Sequence, residues 1–258
     1  MLLTNKVAII TGIGPGLGQE LAYTFAREGA EIAICCRRKS ELDRVTDEVE
    51  GRGGKVLAIP TDVTDRAACK RLVDATVERF GRIDALVNSA YNPGEFALFE
   101  DANLDDWRLP LEVNLFGTLN MTQEVVSHLK AAGGGAICNV NSQIHRKPMA
   151  YQASYGTSKA ALEGATKMLA KELGAHKIRV NSVFMGWMWG PPVEGYVTMA
   201  AQGGVTKDDV IAGIVKDIPL GIIPDDADCA NAVAFLCSDY ARVITGAGLD
   251  VNGGEFMP

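Results

Sequence analysis

No Cys-x-x-Cys occurs among the six cysteines, which stand at 35, 36, 69, 138, 229 and 237. That scatter gives no zinc-ribbon spacing and no disulfide framework. The thiols read as buried and free in a reducing, cytoplasmic setting. Histidine is scarce: the three residues, at 128, 145 and 176, lie far apart and form no His-Glu-x-x-His. No metal site is expected from them. No apolar run approaches the ~18 residues that span a bilayer. The start, Met1 to Val7, has neither the charged region nor the small-residue cleavage site of a signal peptide and reads as the approach to a first strand. Basic charge is in deficit, with 25 Lys and Arg against 32 Asp and Glu and a net charge of −7. This argues against nucleic acid or an anionic membrane as partner. Linkers, repeats and low-complexity tracts are missing as well. What is present is 258 residues, 47% of them hydrophobic. That is enough for one core, and a single unit over 1–258 is expected.

Short apolar runs alternate with helical periodicity along the chain. Runs at 6–11, 31–36, 55–60, 83–88, 136–141, 178–184 and 248–251 predict strands. Periodic segments at 17–28, 40–50, 65–80, 104–130, 154–173 and 225–238 predict helices. Near-continuous apolar strands alternating with helices indicate a parallel sheet covered on both faces. The predicted fold class is α/β, a Rossmann-like doubly wound sheet of about seven strands in a three-layer αβα sandwich. Residues 185–220 break the alternation: they are rich in Gly, Pro and Met without clear strands. An irregular stretch of that length in a compact domain reads as a substrate-binding flap.

Between the first strand and first helix lies Thr11-Gly12-Ile13-Gly14-Pro15-Gly16-Leu17-Gly18. Glycines there let the backbone approach a pyrophosphate that the helix N-terminus favours electrostatically. Gly12, Gly16, Leu17 and Gly18 are candidate cofactor contacts; a purely structural turn is the plainer reading of a glycine pattern. The ribose-reading position, at the end of the second strand, offers Cys36-Arg37-Arg38-Lys39 and no acid before Glu41. Arg37 and Arg38 suit a 2′-phosphate, so NADP(H) is favoured and NAD(H) possible, although a basic helix start facing solvent has the same composition.

Only one of the six tyrosines, Tyr155, has a lysine at i+4, Lys159. The two share one helix face, and an ammonium beside a phenol favours the phenolate. Such a tyrosine can act as a general acid or base, though the spacing alone also fits a solvated face. Small residues follow it at 160, 161, 164 and 165, which suits close packing.

Taken together, these motifs resemble the short-chain dehydrogenase/reductase family over nearly the whole chain. The resemblance rests on the glycine turn at 11–18, Asp62-Val63, Asn88-Ser89-Ala90 and Asn114 in Val-Asn-Leu-Phe-Gly. It also rests on Ser142 thirteen residues before Tyr155, and on Asp250-Val251-Asn252-Gly253-Gly254. It implies that Tyr155 transfers the proton, Lys159 lowers its pKa and holds the nicotinamide ribose, and Ser142 orients the substrate oxygen. Asn114 would hold a linking water, Asp62 and Val63 would contact adenine, and Asn88 and Ala90 the adenosine side. It further implies a small-molecule substrate and a homotetramer or homodimer. Three positions depart from the family pattern: Tyr91 replaces a glycine, Met185-Gly186 replaces Pro-Gly, and Pro15 stands where a basic residue often precedes Gly16. The enoyl-reductase branch spaces its tyrosine and lysine seven apart, and position 152 here is Gln.

Tyr91, Ile144, Trp187, Met188, Trp189 and Tyr196 are candidate substrate contacts, large apolar groups suited to an apolar ligand or to packing within the flap. Gly186 is a candidate cofactor contact. His145-Arg146-Lys147 reads as a solvated loop or an attraction for an anion. Beside the oxidoreductase reading stands a catalytically silent dinucleotide-binding regulator or scaffold of the same fold.

Overall fold

The computed structural model describes residues 1–202 and 204–258. Seven strands form one sheet: β1 (Val7–Thr11), β2 (Glu31–Cys35), β3 (Val56–Ala58), β4 (Ala85–Asn88), β5 (Gly135–Ser142), β6 (Ile178–Met185) and β7 (Gly248–Val251). Their spatial order is β3-β2-β1-β4-β5-β6-β7, with every neighbouring pair parallel.

Helices cover both faces. They are α1 (Leu17–Arg27), α2 (Lys39–Gly51), α3 (Arg66–Phe80), α4 (Arg108–Leu111), α5 (Thr118–Ala131), α6 (Ala153–Leu173), α7 (Pro191–Ala200), α8 (Lys207–Val215) and α9 (Asp226–Cys237). Alternation along each strand divides the apolar residues between two cores. Ala8, Ile10, Ile32, Ile34 and Val87 pack with α1, α2 and α9. Ile9, Ala33, Cys35 and Leu86 pack with α3, α5 and α6. Strands buried on both sides have no polar face, which is why they read as unbroken apolar runs. Each Val, Leu or Ile among them contributes about 1.5–3 kcal/mol on burial. The strand order reverses beside β1, so the connections leaving β1 and β4 run to opposite faces, which is the switch point where α/β sheets take ligands.

Two stretches differ from the periodicity reading. The predicted helix over 104–130 is broken into a 3-10 turn at 104–107, α4, a π-helical turn at Glu112–Gly117, and α5. A Cβ on Gly117 would lie 2.6 Å from Val63 Cγ2, so this bend packs tightly against the loop after β3. Residues 185–220 hold two helices rather than an irregular stretch. Pro191 and Pro192 pre-set the first turn of α7, and a reciprocal Thr206–Asp209 capping box starts α8. No helix among the described residues is long and apolar enough to cross a membrane.

Candidate active site

The glycine-rich turn is dictated by backbone contact. Gly12 has φ +80°, and a Cβ there would fall 2.4 Å from Ala90 N and 2.5 Å from Ser89 C. Thr11 Oγ1 accepts from Ser89 N (3.1 Å) and Ala90 N (3.2 Å), tying the end of β1 to the segment after β4. A Cβ on Gly18 would lie 2.3 Å from Gly12 O, so α1 leaves the turn at van der Waals contact. The N-cap of α1 is Gly16, with no side chain on the first-turn N–H groups. Those donors and the helix dipole favour an anion.

A cleft of about 1060 Å³ starts at this turn. Gly12, Gly16, Leu17, Gly18, Arg37, Arg38, Asp62, Val63 and Ala90 line one end; Ser142, Tyr155, Lys159 and Gly186 line it further along. The chemistry of the lining suits a dinucleotide: guanidinium groups, an uncapped helix start, and the serine and tyrosine. Asp62 Oδ1 accepts from Thr64 N (3.0 Å) and Thr64 Oγ1 (2.8 Å). Burial raises its pKa, but these bonds and Arg37 outweigh it and hold the carboxyl below its usual range.

Ser142 ends β5. Its Oγ accepts from Ile144 N at 3.2 Å and donates to Met185 O at 3.4 Å, and Tyr155 lines the same cleft. Tyr155 and Lys159 lie on the first turns of α6, and Lys159 Nζ sits 5.7 Å from the Tyr155 ring centre. The lysine is buried and donates to Val140 O at 2.8 Å. Here the geometry departs from a simple pairing. Burial pushes the Tyr155 phenol up, with the Ser142 hydroxyl opposing and Tyr91 adding to the rise. Burial pushes Lys159 down to about 7. Both groups shift toward their neutral forms, because burial penalises the charged ones.

Three expected contacts lie elsewhere. Asn88 does not face the cleft; alternation on β4 sends its side chain to the Leu86 face, where it donates to Asn139 Oδ1 (3.0 Å) and Thr122 Oγ1 (3.4 Å). Trp189 is off the cleft wall, its backbone bridged to Asp225 and donating to Pro224 O at 2.8 Å. Asn114 lies behind the wall, in the π-helical turn. Its Oδ1 accepts from Asn92 N (2.7 Å), and its Nδ2 donates to Asn92 O (2.9 Å) and Ser158 Oγ (2.8 Å). Tyr91, Ile144, Trp187, Met188 and Tyr196 do line the cleft, with the Trp187 and Tyr196 rings 5.2 Å apart.

Gln143, Gln152, Asp226 and Glu255 also line it and are not among the expected site residues, and Lys147, expected as a solvated loop residue or an attraction for an anion, lines it too. Gln143 follows Ser142, Gln152 stands three before Tyr155, and Glu255 follows the Asp250–Gly254 segment, while Asp226 carries no such signal. Asp226 stands against Gly16 and Gly190, and its Oδ1 is buried with no partner. Burial, then Glu20, Asp225 and Glu194, push its carboxyl up to about 7. A carboxyl whose folded pKa exceeds its unfolded value of ~3.9 binds its proton more tightly in the folded state. Stability is therefore lost as pH rises between about 4 and about 7, and the penalty is full above that. Asp226→Asn is expected to stabilise the fold by about 1–2 kcal/mol at about pH 8, after screening, and to change little at about pH 4. Melting curves at both pH values check this; an equal gain at both would mean that titration is not the cause.

A parallel doubly wound sheet with a glycine-rich first turn and a serine, tyrosine and lysine in the same cleft defines the class: an NAD(P)-dependent oxidoreductase. Comparisons with known proteins narrow it. The family model described as enoyl-(acyl carrier protein) reductase matches residues 12–255. An uncharacterised oxidoreductase of Methylorubrum extorquens is 36% identical over 253 residues, 98% of each chain. A 3-oxoacyl-[acyl-carrier-protein] reductase of Thermotoga maritima is 35% identical over 254 residues, covering 98% of this chain and 99% of its own. A 7alpha-hydroxysteroid dehydrogenase of Escherichia coli is 31% identical over 252 residues, covering 98% of this chain and 94% of its own. The solved structure of a short-chain type dehydrogenase/reductase from Mycobacterium ulcerans superposes with a TM-score of 0.90 at 26% identity, covering 99% of this chain and 91% of that one. The chain belongs to the short-chain dehydrogenase/reductase family and is an alcohol dehydrogenase/ketoreductase acting on CH–OH groups.

Proposed function

We propose that the chain interconverts a carbonyl and a secondary alcohol on a mainly apolar substrate, preferring NADP(H), with Tyr155 as general acid and base. The carrying observation is convergence: Ser142, Tyr155 and Lys159 meet in the cleft that begins at the glycine-rich turn. A bound nicotinamide supplies or accepts the hydride. The Ser142 and Tyr155 hydroxyls hold the substrate oxygen, and hydrogen bonds aimed there gain strength as its negative charge develops. With its pKa raised, Tyr155 is protonated at neutral pH and gives its proton to that oxygen in reduction. Lys159, whose pKa of about 7 leaves it partly protonated near neutral pH, sets an ammonium beside the phenolate as that forms and steadies it. Asn114 holds this arrangement from behind through Asn92 and Ser158.

Residues 185–220 act as the substrate flap; Trp187, Met188, Tyr196 and Ile214 support this by lining the cleft. Two relatives bear names for oxoacyl and hydroxysteroid chemistry, so a keto-acyl, steroid-like or cyclic body is included. The matched model's description names an enoyl reductase, but Gln152 and the Tyr155–Lys159 spacing favour carbonyl chemistry. Cytoplasmic residence and a homotetramer or homodimer belong to the same reading on the family resemblance alone, and light scattering reads the mass.

NADPH absorbance followed with a panel of ketones tests the proposal. Turnover confined to small, highly charged carbonyl compounds overturns the apolar reading. Tight NADPH binding with no turnover of any ketone points to the silent regulator instead. For the cofactor, Arg37→Ala with Arg38→Ala is expected to weaken NADPH binding by roughly 30-fold and NADH binding by less than about threefold. A wild-type preference for NADH of about tenfold would remove the two arginines from the argument.

A further inference from the structure

Of the basic run His145-Arg146-Lys147, the first two residues are turned away from the cleft. His145 Nε2 bonds Glu163 Oε2 at 2.5 Å, and Arg146 donates to Asp250 at 3.1 Å with its guanidinium 3.6 Å over the Phe184 ring. Lys147 lines the cleft. It is held by a residue from the far end of the chain: Glu255 Oε1 accepts from Lys147 Nζ at 2.9 Å. Glu255 Oε2 accepts from Gln143 Nε2 at 2.5 Å, and Gln143 Oε1 accepts from Asn252 Nδ2 at 2.9 Å. This chain of bonds packs on Gly186, where a Cβ would lie 2.9 Å from Glu255 Oε2.

The pair is asymmetric. The Glu255 side chain is 5% exposed and that of Lys147 is 40% exposed, so the charge presented to the cleft is the ammonium. An ammonium has three donors, and Glu255 takes one. The same cleft carries the apolar groups of Tyr91, Ile144, Met149, Trp187 and Tyr196. Among the described residues, the other cations lining the cleft are Arg37 and Arg38, beside the second strand, and Lys159 behind Tyr155. The carboxylates of Asp209 and Asp217, also on the wall, would repel an anion placed near α8.

We propose that Lys147, positioned by Glu255, recognises a carboxylate or similar anionic group on the end of the substrate remote from the reacting carbonyl. This deepens the carbonyl-reductase reading and rests on it. The substrate class becomes an apolar keto acid rather than a neutral ketone. A buried acid partner fixes the ammonium in place, so less side-chain freedom is lost when the substrate binds.

The test uses NADPH with (oxocyclohexyl)acetate and its methyl ester, which share the reacting carbonyl and differ in charge. Wild type is expected to favour the acid in kcat/KM by about tenfold. Lys147→Gln removes that preference mainly through KM for the acid, and Lys147→Arg keeps most of it. If losing the cation leaves Glu255 unpaired and destabilises the fold, the double variant Lys147→Gln, Glu255→Gln removes both charges and is read the same way. An acid-to-ester ratio near one in wild type, or one that Lys147→Gln leaves in place, overturns the proposal while leaving carbonyl reduction standing. Failure to reduce either compound overturns both.

Discussion

Replacing Tyr155 by phenylalanine is expected to lower turnover by about 10³-fold while NADPH affinity stays within about threefold. The change deletes one oxygen. It removes the hydroxyl proposed as the proton donor and as one of two that hold the substrate oxygen; the ring remains on α6 beside Lys159. General acid catalysis contributes roughly 10²–10⁴-fold, and loss of a hydrogen bond to the developing charge adds to that. The cofactor end of the cleft, from Gly12 to Asp62, is untouched. Single-turnover absorbance with a ketone and a fluorescence titration with NADPH separate the two effects. Near-normal turnover would strip Tyr155 of its role. Loss of NADPH binding in step with turnover would make it a structural residue.

The second large effect is structural and falls on one methyl group. Gly12→Ala is expected to destabilise the fold by about 3–5 kcal/mol and to abolish dinucleotide binding. The φ of +80° is costly for any L side chain, and the added carbon meets the Ala90 and Ser89 backbone at 2.4 and 2.5 Å. Backbone atoms have no rotamer by which to retreat, and those two residues are tied to Thr11. Moving them opens the junction of β1 and β4 on which the cleft depends. Gly164→Ala is the control. Gly164 sits in the interior of α6, exposed, with nothing within 4 Å of the added carbon. There alanine is expected to stabilise by about 0.5–1 kcal/mol through helix propensity. Melting curves of both variants check the contrast. A Gly12→Ala protein as stable as wild type would show that the β1–β4 junction yields, and that the turn's glycine is not demanded by packing.

The parts of the site that were legible in the sequence are those written over a few residues. Gly12 to Gly18 lies between a strand and a helix, and Tyr155 and Lys159 lie four apart on one helix. Both patterns are local, and local geometry follows from 3.6 residues per turn and from glycine's freedom in φ. The helices of 185–220 were legible in principle, through Pro191-Pro192 and the Thr206–Asp209 box, but low periodicity hid them. The direction of Asn88 needed the register that sets it opposite Asn139. The titration of Tyr155 and Lys159 needed their burial, which a spacing of four does not report.

By itself, the sequence determined the alternation of strands and helices, the burial of the sheet on both faces, the phosphate-suited turn and the tyrosine–lysine helix. Each follows from interactions among near neighbours or from apolar periodicity. Tertiary structure alone decided that Glu255 meets Lys147, 108 residues away, and that Asp226 stands against Gly16. It also decided that Asn88 and Trp189 leave the cleft. The reason is that a side chain's partner across the sheet's carboxyl edge depends on strand order and loop closure, and neither is encoded within the reach of one turn of chain.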